Sequence, residues 1–86
     1  MKVKVASVLF EYTGDRSEVE ARGSTLGAVL ADLDRRHPGL RFRVVDEQDR
    51  VRQHMNVFVA GRPTRDLGAR VGPDDEIHIL QALSGG

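Results

Sequence analysis

The sequence contains no cysteine among its 86 residues. This absence excludes disulfide bridges, thiolate metal sites, a cysteine nucleophile and a persulfide carried on a side chain. A surplus of either charge is missing as well, because 13 basic side chains balance 13 acidic ones. Without such a surplus, no overall field attracts nucleic acid or anionic lipid. We therefore expect neither nucleic acid nor a membrane as a partner.

Long hydrophobic stretches are also absent. No run approaches the ~20 apolar residues that span a bilayer, and the first apolar run is too short for the core of a signal peptide. These features predict a cytoplasmic protein. The composition is 40% hydrophobic and 30% charged, an ordinary globular balance, so we expect one domain, 1–86, with a single core.

The sequence shows no motif for nucleotide or metal binding. The stretch GSTLG at 23–27 lacks the lysine and the spacing of a phosphate-binding loop. His37, His54 and His78 have no ligand spacing, and the acidic run 74–76 is more typical of a solvated turn than of a cation site. We predict no metal and no bound cofactor. A stand-alone enzyme is the weakest hypothesis, because no nucleophile, base and orienting residue can be assembled.

The first third of the chain predicts a hairpin followed by a helix. Residues 2–10 alternate and then become continuously apolar, which favours a strand, and 17–22 pairs back after a turn at 13–16. Apolar residues then recur with helical spacing from a cap at Ser24 or Thr25 to about Arg36. Proline and glycine at positions 38 and 39 end this helix.

The remaining chain predicts two further strands. Residues 40–54 show no sustained period and are interpreted as a connection with a turn at 46–49. Residues 55–61 form a clear strand followed by a turn at 62–64. After a segment too short for more than a helical turn, 76–83 form the final strand.

Strand alternation predicts which side chains face the core. The expected inward positions are Val3, Val5, Val57, Val59, Ile77 and Ile79. Phe58 and Leu80 then form an exposed apolar patch with His78 beside it, and such a patch usually marks a binding site. The alternative is that the 40–54 connection covers Phe58.

A local basic cluster surrounds the end of the predicted helix, at Arg35, Arg36, Arg41 and Arg43. Cations at this position complement the helix dipole, which is the favoured interpretation. The alternative is contact with an acidic partner, which would make association sensitive to salt.

The order of elements, closing in an apolar strand that runs into Gly-Gly, resembles the ubiquitin-like β-grasp family. IHILQALSGG at 77–86 resembles ubiquitin's last strand and tail, and MNVFVAGRPT at 55–64 resembles its central strand and turn. The resemblance implies an α+β fold with a mixed sheet of four to five strands. One main helix would cross one face of that sheet, and 83–86 would be a flexible tail.

Within that family the chain is similar to bacterial sulfur carriers, namely the small subunit of molybdopterin synthase and the carrier used in cysteine biosynthesis. The similar stretches are STLGAVLADL at 24–33, HPGL at 37–40, DEQDRVRQHMNVFVAG at 46–61 and DDEIHILQALSGG at 74–86. They span nearly the whole chain. The thiamin carrier is usually shorter, without an insertion like 40–54, which favours the cysteine or molybdopterin type.

The resemblance implies chemistry at the C-terminal carboxylate of Gly86. A ubiquitin-activating-type enzyme would adenylate it with ATP, and a rhodanese-like or desulfurase sulfur donor would supply the sulfur of a thiocarboxylate. Leu83, Ser84 and Gly85 would form the tail that reaches into the partner, since glycine lets the backbone pass a narrow channel. A sulfur-accepting biosynthetic enzyme would then take the sulfur to cysteine, molybdopterin or another metabolite. The chain would be a carrier, monomeric alone, and not itself an enzyme.

An alternative function uses the same activation and leaves a different product. A ubiquitin-like protein modifier would be joined through Gly86 to lysines of other proteins. The two hypotheses differ in whether sulfur or a protein amine receives the activated terminus.

Overall fold

The computed structural model describes residues 1–82 and contains one mixed five-stranded sheet. The strands are β1 (Lys2–Val5), β2 (Glu18–Glu20), β3 (Met55–Val59), β4 (Arg62–Pro63) and β5 (Ile77–Gln81). Their order across the sheet is β2-β1-β5-β3-β4. β1 and β5 are parallel, and the other neighbours are antiparallel. The predicted α+β, ubiquitin-like architecture is confirmed, and β5 occupies the centre of the sheet.

Three helices accompany the sheet: α1 (Phe10–Thr13), α2 (Leu26–Arg36) and α3 (Leu40–Val44). The longest, α2, begins where predicted, because the Thr25 hydroxyl accepts a hydrogen bond of 3.1 Å from the Ala28 N–H. Its apolar stripe is buried and joins the inward side chains of the strands in one core. The predicted inward positions Val3, Val5, Val57, Val59, Ile77 and Ile79 all belong to this core.

The predicted first strand, 2–10, is too long. The Ala6 N–H makes the last bond of this segment to the sheet, 2.8 Å from the Ile79 carbonyl. The Ala6 carbonyl then accepts a bond of 2.9 Å from the Leu9 N–H, which turns the chain into a 3-10 turn at Ser7–Leu9 and into α1. A continuous apolar run does not distinguish a buried strand from a buried helical turn, which explains the error.

The interpretation of 40–54 as a connection is partly wrong, because it contains α3. Leu40 and Val44, one helical turn apart, are fully buried. The Asp34 carboxylate accepts bonds of 3.1 and 3.2 Å from the N–H groups of Gly39 and Arg41, which stabilises the start of this helix. The predicted turn at 46–49 is present: the Asp46 carboxylate accepts from two N–H groups across it.

The turn predicted at 62–64 lies two residues earlier. Ala60 and Gly61 both have positive φ, 51° and 81°, as a two-residue hairpin turn requires. Arg62–Pro63 instead forms β4 against β3. The final strand, predicted over 76–83, is observed as Ile77–Gln81.

Residues 66–71 form a turn whose backbone supports α2. The N–H groups of Leu26 and Gly27 donate to the carbonyls of Ala69 and Leu67, at 2.9 and 2.8 Å. Two donors at the start of α2 are thereby satisfied. Across residues 1–82, the helices are all too short and polar to cross a membrane.

Candidate functional site

The outer face of the sheet, opposite the core, carries the side chains predicted to bind a partner. Register places Phe58 directly across from His78, and Leu80 across from Asn56. Leu80 is 40% exposed, while Phe58 and His78 are half-buried. The predicted position of these three side chains on one face is confirmed, and we call Phe58, His78 and Leu80 the apolar patch.

Phe58 has a neighbouring strand on each side. It lies between Pro63 of β4 and His78 of β5 in the sheet register. The 40–54 segment contributes its buried apolar side chains to the core, on the opposite side of the sheet. These positions argue against the alternative that 40–54 covers Phe58.

His78 connects the apolar patch to a charged group. The Nε2 atom of His78 lies 2.7 Å from Oε1 of Glu76, and the Lys4 ammonium lies 3.5 Å from the same oxygen. The hydrogen bond from His78, followed by the charge of Lys4, lowers the pKa of Glu76 below its usual value. Lys2 and Glu18, 3.7 Å apart, continue the charged surface over β1 and β2.

The end of β5 is attached to the start of β3. The Ala82 N–H donates a hydrogen bond of 2.7 Å to the His54 carbonyl, and Gln81 lies opposite Met55. The apolar patch and the departing chain therefore share one strand. The predicted tail residues Leu83, Ser84, Gly85 and Gly86 lie outside the described residues.

Most of the predicted basic cluster makes contacts within the chain. Arg35 and Arg36, in the last turn of α2, both pair with Asp32, and Arg41 pairs with Asp49 at 3.1 Å. The carboxylate of Asp32 also accepts the Arg22 N–H at 2.9 Å. That backbone bond, with the two arginines, lowers the pKa of Asp32 to about 2.

The acidic run 74–76 has a structural explanation. The Asp75 carboxylate accepts the Gly72 N–H at 2.7 Å and closes the predicted turn. Within residues 1–82, no three acidic or histidine side chains are grouped so as to hold a metal ion.

Two arginine contacts were not predicted from the sequence. The Arg52 guanidinium lies 4.6 Å from the ring centroid of Phe42, which is 55% exposed. The Arg65 side chain donates to main-chain carbonyls of the segment that precedes β3. An isolated arginine in a polar loop carries no local signal for such contacts.

Comparison with known proteins identifies the family of this chain. The ThiS family model matches residues 3–86. The sulfur carrier protein CysO of Mycobacterium tuberculosis is 32% identical over 89 residues, covering 98% of this chain and 96% of that protein.

Solved structures agree with this assignment. A chain in the Amycolatopsis orientalis BexX/CysO complex has a TM-score of 0.90 and 33% identity, covering 99% of this chain and 98% of that one. SAMP1 from Haloferax volcanii has a TM-score of 0.75 and 31% identity, covering 99% of this chain and 97% of that one. The predicted resemblance to the ubiquitin-like sulfur carriers is confirmed, and the chain belongs to the ThiS family.

Proposed function

We propose that this protein is a sulfur carrier whose C-terminal Gly86 holds the sulfur as a thiocarboxylate. The observation that carries the proposal is the full-length similarity to CysO, a protein named as a sulfur carrier. The position of β5 supports it, since this central strand leads directly toward the Gly-Gly end of the sequence.

The chemistry follows from the poor reactivity of a carboxylate. A ubiquitin-activating-type partner binds ATP, and the Gly86 carboxylate attacks the α-phosphorus to form an acyl adenylate with release of pyrophosphate. Hydrosulfide then attacks the acyl carbon, AMP leaves, and a thiocarboxylate remains. With a rhodanese-like or desulfurase donor, the terminal sulfur of a cysteine persulfide attacks in place of hydrosulfide, and AMP leaves. Two thiols of a reductant then cleave the resulting acyl disulfide to the thiocarboxylate and the donor's cysteine, and are themselves oxidised to a disulfide. The carrier itself supplies no catalytic group and binds no cofactor.

The tail delivers this terminus. Fully extended, four residues after Ala82 reach about 13 Å, at ~3.3 Å per residue. Leu83, Ser84 and Gly85 would occupy the partner's channel, where a glycine next to the terminus lets the backbone approach a nucleotide phosphate.

The apolar patch is the proposed docking surface for the adenylating enzyme and for the sulfur-accepting biosynthetic enzyme. Phe58, His78 and Leu80 are the proposed contacts, because an exposed apolar surface with a polar rim is typical of a binding site. The proposal is supported by the exposed fraction of Leu80 and by its position two residues before Ala82. The BexX/CysO complex shows that a similar carrier binds a protein partner.

A second candidate function is that of a protein modifier. It is favoured by the 31% identity with SAMP1, a small archaeal modifier protein. In this case a lysine amine of a target protein would attack the acyl adenylate, AMP would leave, and an amide would form.

The test is incubation of the protein with a ubiquitin-activating-type enzyme, ATP and sulfide, followed by intact-mass measurement. The carrier hypothesis predicts a gain equal to sulfur minus oxygen, and loss of that gain when Gly86 is deleted. No gain, together with adducts on lysines of other proteins in a lysate, would replace it with the modifier hypothesis.

A further inference from the structure

The start of β3 lacks a neighbouring strand on one side. β4 contains two residues, and the last backbone bond from this side to β3 is the 2.9 Å bond from the Thr64 N–H to the Val57 carbonyl. Because alternate carbonyls of a strand point to the same edge, the Met55 carbonyl points to this edge too. It lies beyond the end of β4.

The Arg65 side chain binds the Met55 carbonyl, which a longer β4 would otherwise bind. Its Nη1 donates to the Met55 carbonyl at 3.1 Å. Its Nη2 donates to the carbonyls of Val51 and Arg52, at 2.8 and 2.7 Å. A guanidinium presents several donors in one plane, so a single side chain can satisfy three carbonyls at once. Arg65 thus adds three hydrogen bonds to the segment 51–55, which is also held by the bonds from the Met55 N–H to the Arg52 carbonyl and from the Arg52 N–H to the Val44 carbonyl.

The opposite edge of the same segment holds the end of β5. The His54 carbonyl accepts the Ala82 N–H at 2.7 Å. On the other side of β5, the last hydrogen bond comes from the Ala6 N–H, which donates to the Ile79 carbonyl. The end of β5 is therefore held from the β3 side, by residues that Arg65 fixes in place.

We propose that Arg65 is a positioning residue that fixes where the chain leaves the sheet, and thereby aims the C terminus at the activating enzyme. This inference rests on the proposed function. Arg65 is itself exposed, and its bonds reach main-chain carbonyls and no core side chain. We therefore expect a substitution to act mainly on the segment 51–55.

The first arm of the test measures amide hydrogen exchange in Arg65→Gln. The substitution removes hydrogen bonds from a charged donor to the segment 51–55, which contains the His54 carbonyl that binds Ala82. Exchange at the Ala82 N–H should therefore rise about 10-fold or more. Exchange at the Ala60 N–H, which bonds to Glu76 at the other end of β5, should not change. The matched control is Arg62→Gln, since Arg62 is exposed and makes no side-chain hydrogen bond within residues 1–82.

The second arm measures steady-state adenylation by the partner enzyme. Arg65→Gln should lower kcat about 10-fold with KM nearly unchanged, because the apolar patch is intact and the delivery of Gly86 is not. Arg65→Lys should be intermediate, since an ammonium keeps the charge without the planar donors. Arg62→Gln should match the wild type.

Three results would overturn the inference: unchanged exchange at Ala82, equally raised exchange at Ala60 and Ala82, or the same kinetic loss in Arg62→Gln. The two arms also separate this inference from the proposed function. A wild-type protein that is never adenylated would refute the proposed function, whereas exchange at Ala82 tests the role of Arg65 without any partner.

Discussion

The outer face of the sheet has two unlike halves. Over β1 and β2, lysine and glutamate side chains pair across strands, as Lys2 does with Glu18. Over β3 and β5, the outer face carries the apolar patch, with Leu80 exposed and Phe58 and His78 half-buried, and the half-buried Asn56 opposite Leu80. Exposed ion pairs contribute little to stability and keep water bound, whereas exposed apolar area gains free energy when a partner covers it. The difference indicates which half is suited to docking.

The border between the halves is Glu76, which contacts Lys4 on one side and His78 on the other. The patch therefore has a polar rim along β1. Its other limit is the end of β5 at Gln81. The proposed docking surface therefore lies on the strand that precedes the proposed reacting terminus in the sequence.

The largest predicted effect compares two neighbours on opposite faces of β5. Ile79→Ala removes a fully buried side chain and should lower the free energy of unfolding by about 2–5 kcal/mol. Leu80→Ala, on the outer face and 40% exposed, should lower it by only about 1 kcal/mol or less. Chemical denaturation of both variants tests the assignment of faces. Similar losses in the two variants would contradict it.

The next effect concerns docking. Phe58→Ala should raise KM for the adenylating enzyme about 10-fold, as expected for loss of an aromatic contact near the centre of an interface. Lys2→Ala, in the charged half, should leave KM within about 2-fold of the wild type, since exposed ion pairs contribute little. Steady-state kinetics with both variants show which half of the outer face binds the adenylating enzyme. An equal rise in KM would show that docking is not confined to the apolar patch.

The smallest effect is a pH dependence at the border. Since contact with His78 and Lys4 lowers the pKa of Glu76 from its ordinary 4.5, its carboxylate stabilises the fold above that pH. This stability is lost as the pH falls through the lowered pKa. Glu76→Gln should therefore flatten the stability profile below pH 4.5. Acid denaturation curves of the wild type and of Glu76→Gln provide the comparison, and curves with the same pH dependence would contradict the assignment.

Elements with a clear period were predicted well from sequence. The helical stripe of α2 and its Thr25 cap are local features, and both are confirmed. Alternation in β3 and β5 correctly placed Phe58, His78 and Leu80 on one face. These patterns succeed because burial imposes a period of 3.6 or 2 on the residues that form them.

The missed features depend on particular contacts and not on a repeated pattern. α3 was interpreted as part of a connection because residues 40–54 show no sustained period, and its start is stabilised by the Asp34 carboxylate of the preceding helix. The contacts of Arg65 were not predictable, because they depend on β4 ending before it covers the Met55 carbonyl. These Arg65 contacts follow from sheet register and not from the local sequence.

The proposal that Gly86 carries the sulfur is tested most directly by locating the sulfur after a single activation reaction. The protein is incubated with the adenylating enzyme, ATP and isotopically labelled sulfide, then digested and analysed by mass spectrometry. The account predicts label in the C-terminal peptide alone, at Gly86, and its disappearance when a sulfur-accepting enzyme and its substrate are added. Unlabelled C-terminal peptide from a reaction that nevertheless consumes ATP would contradict the account.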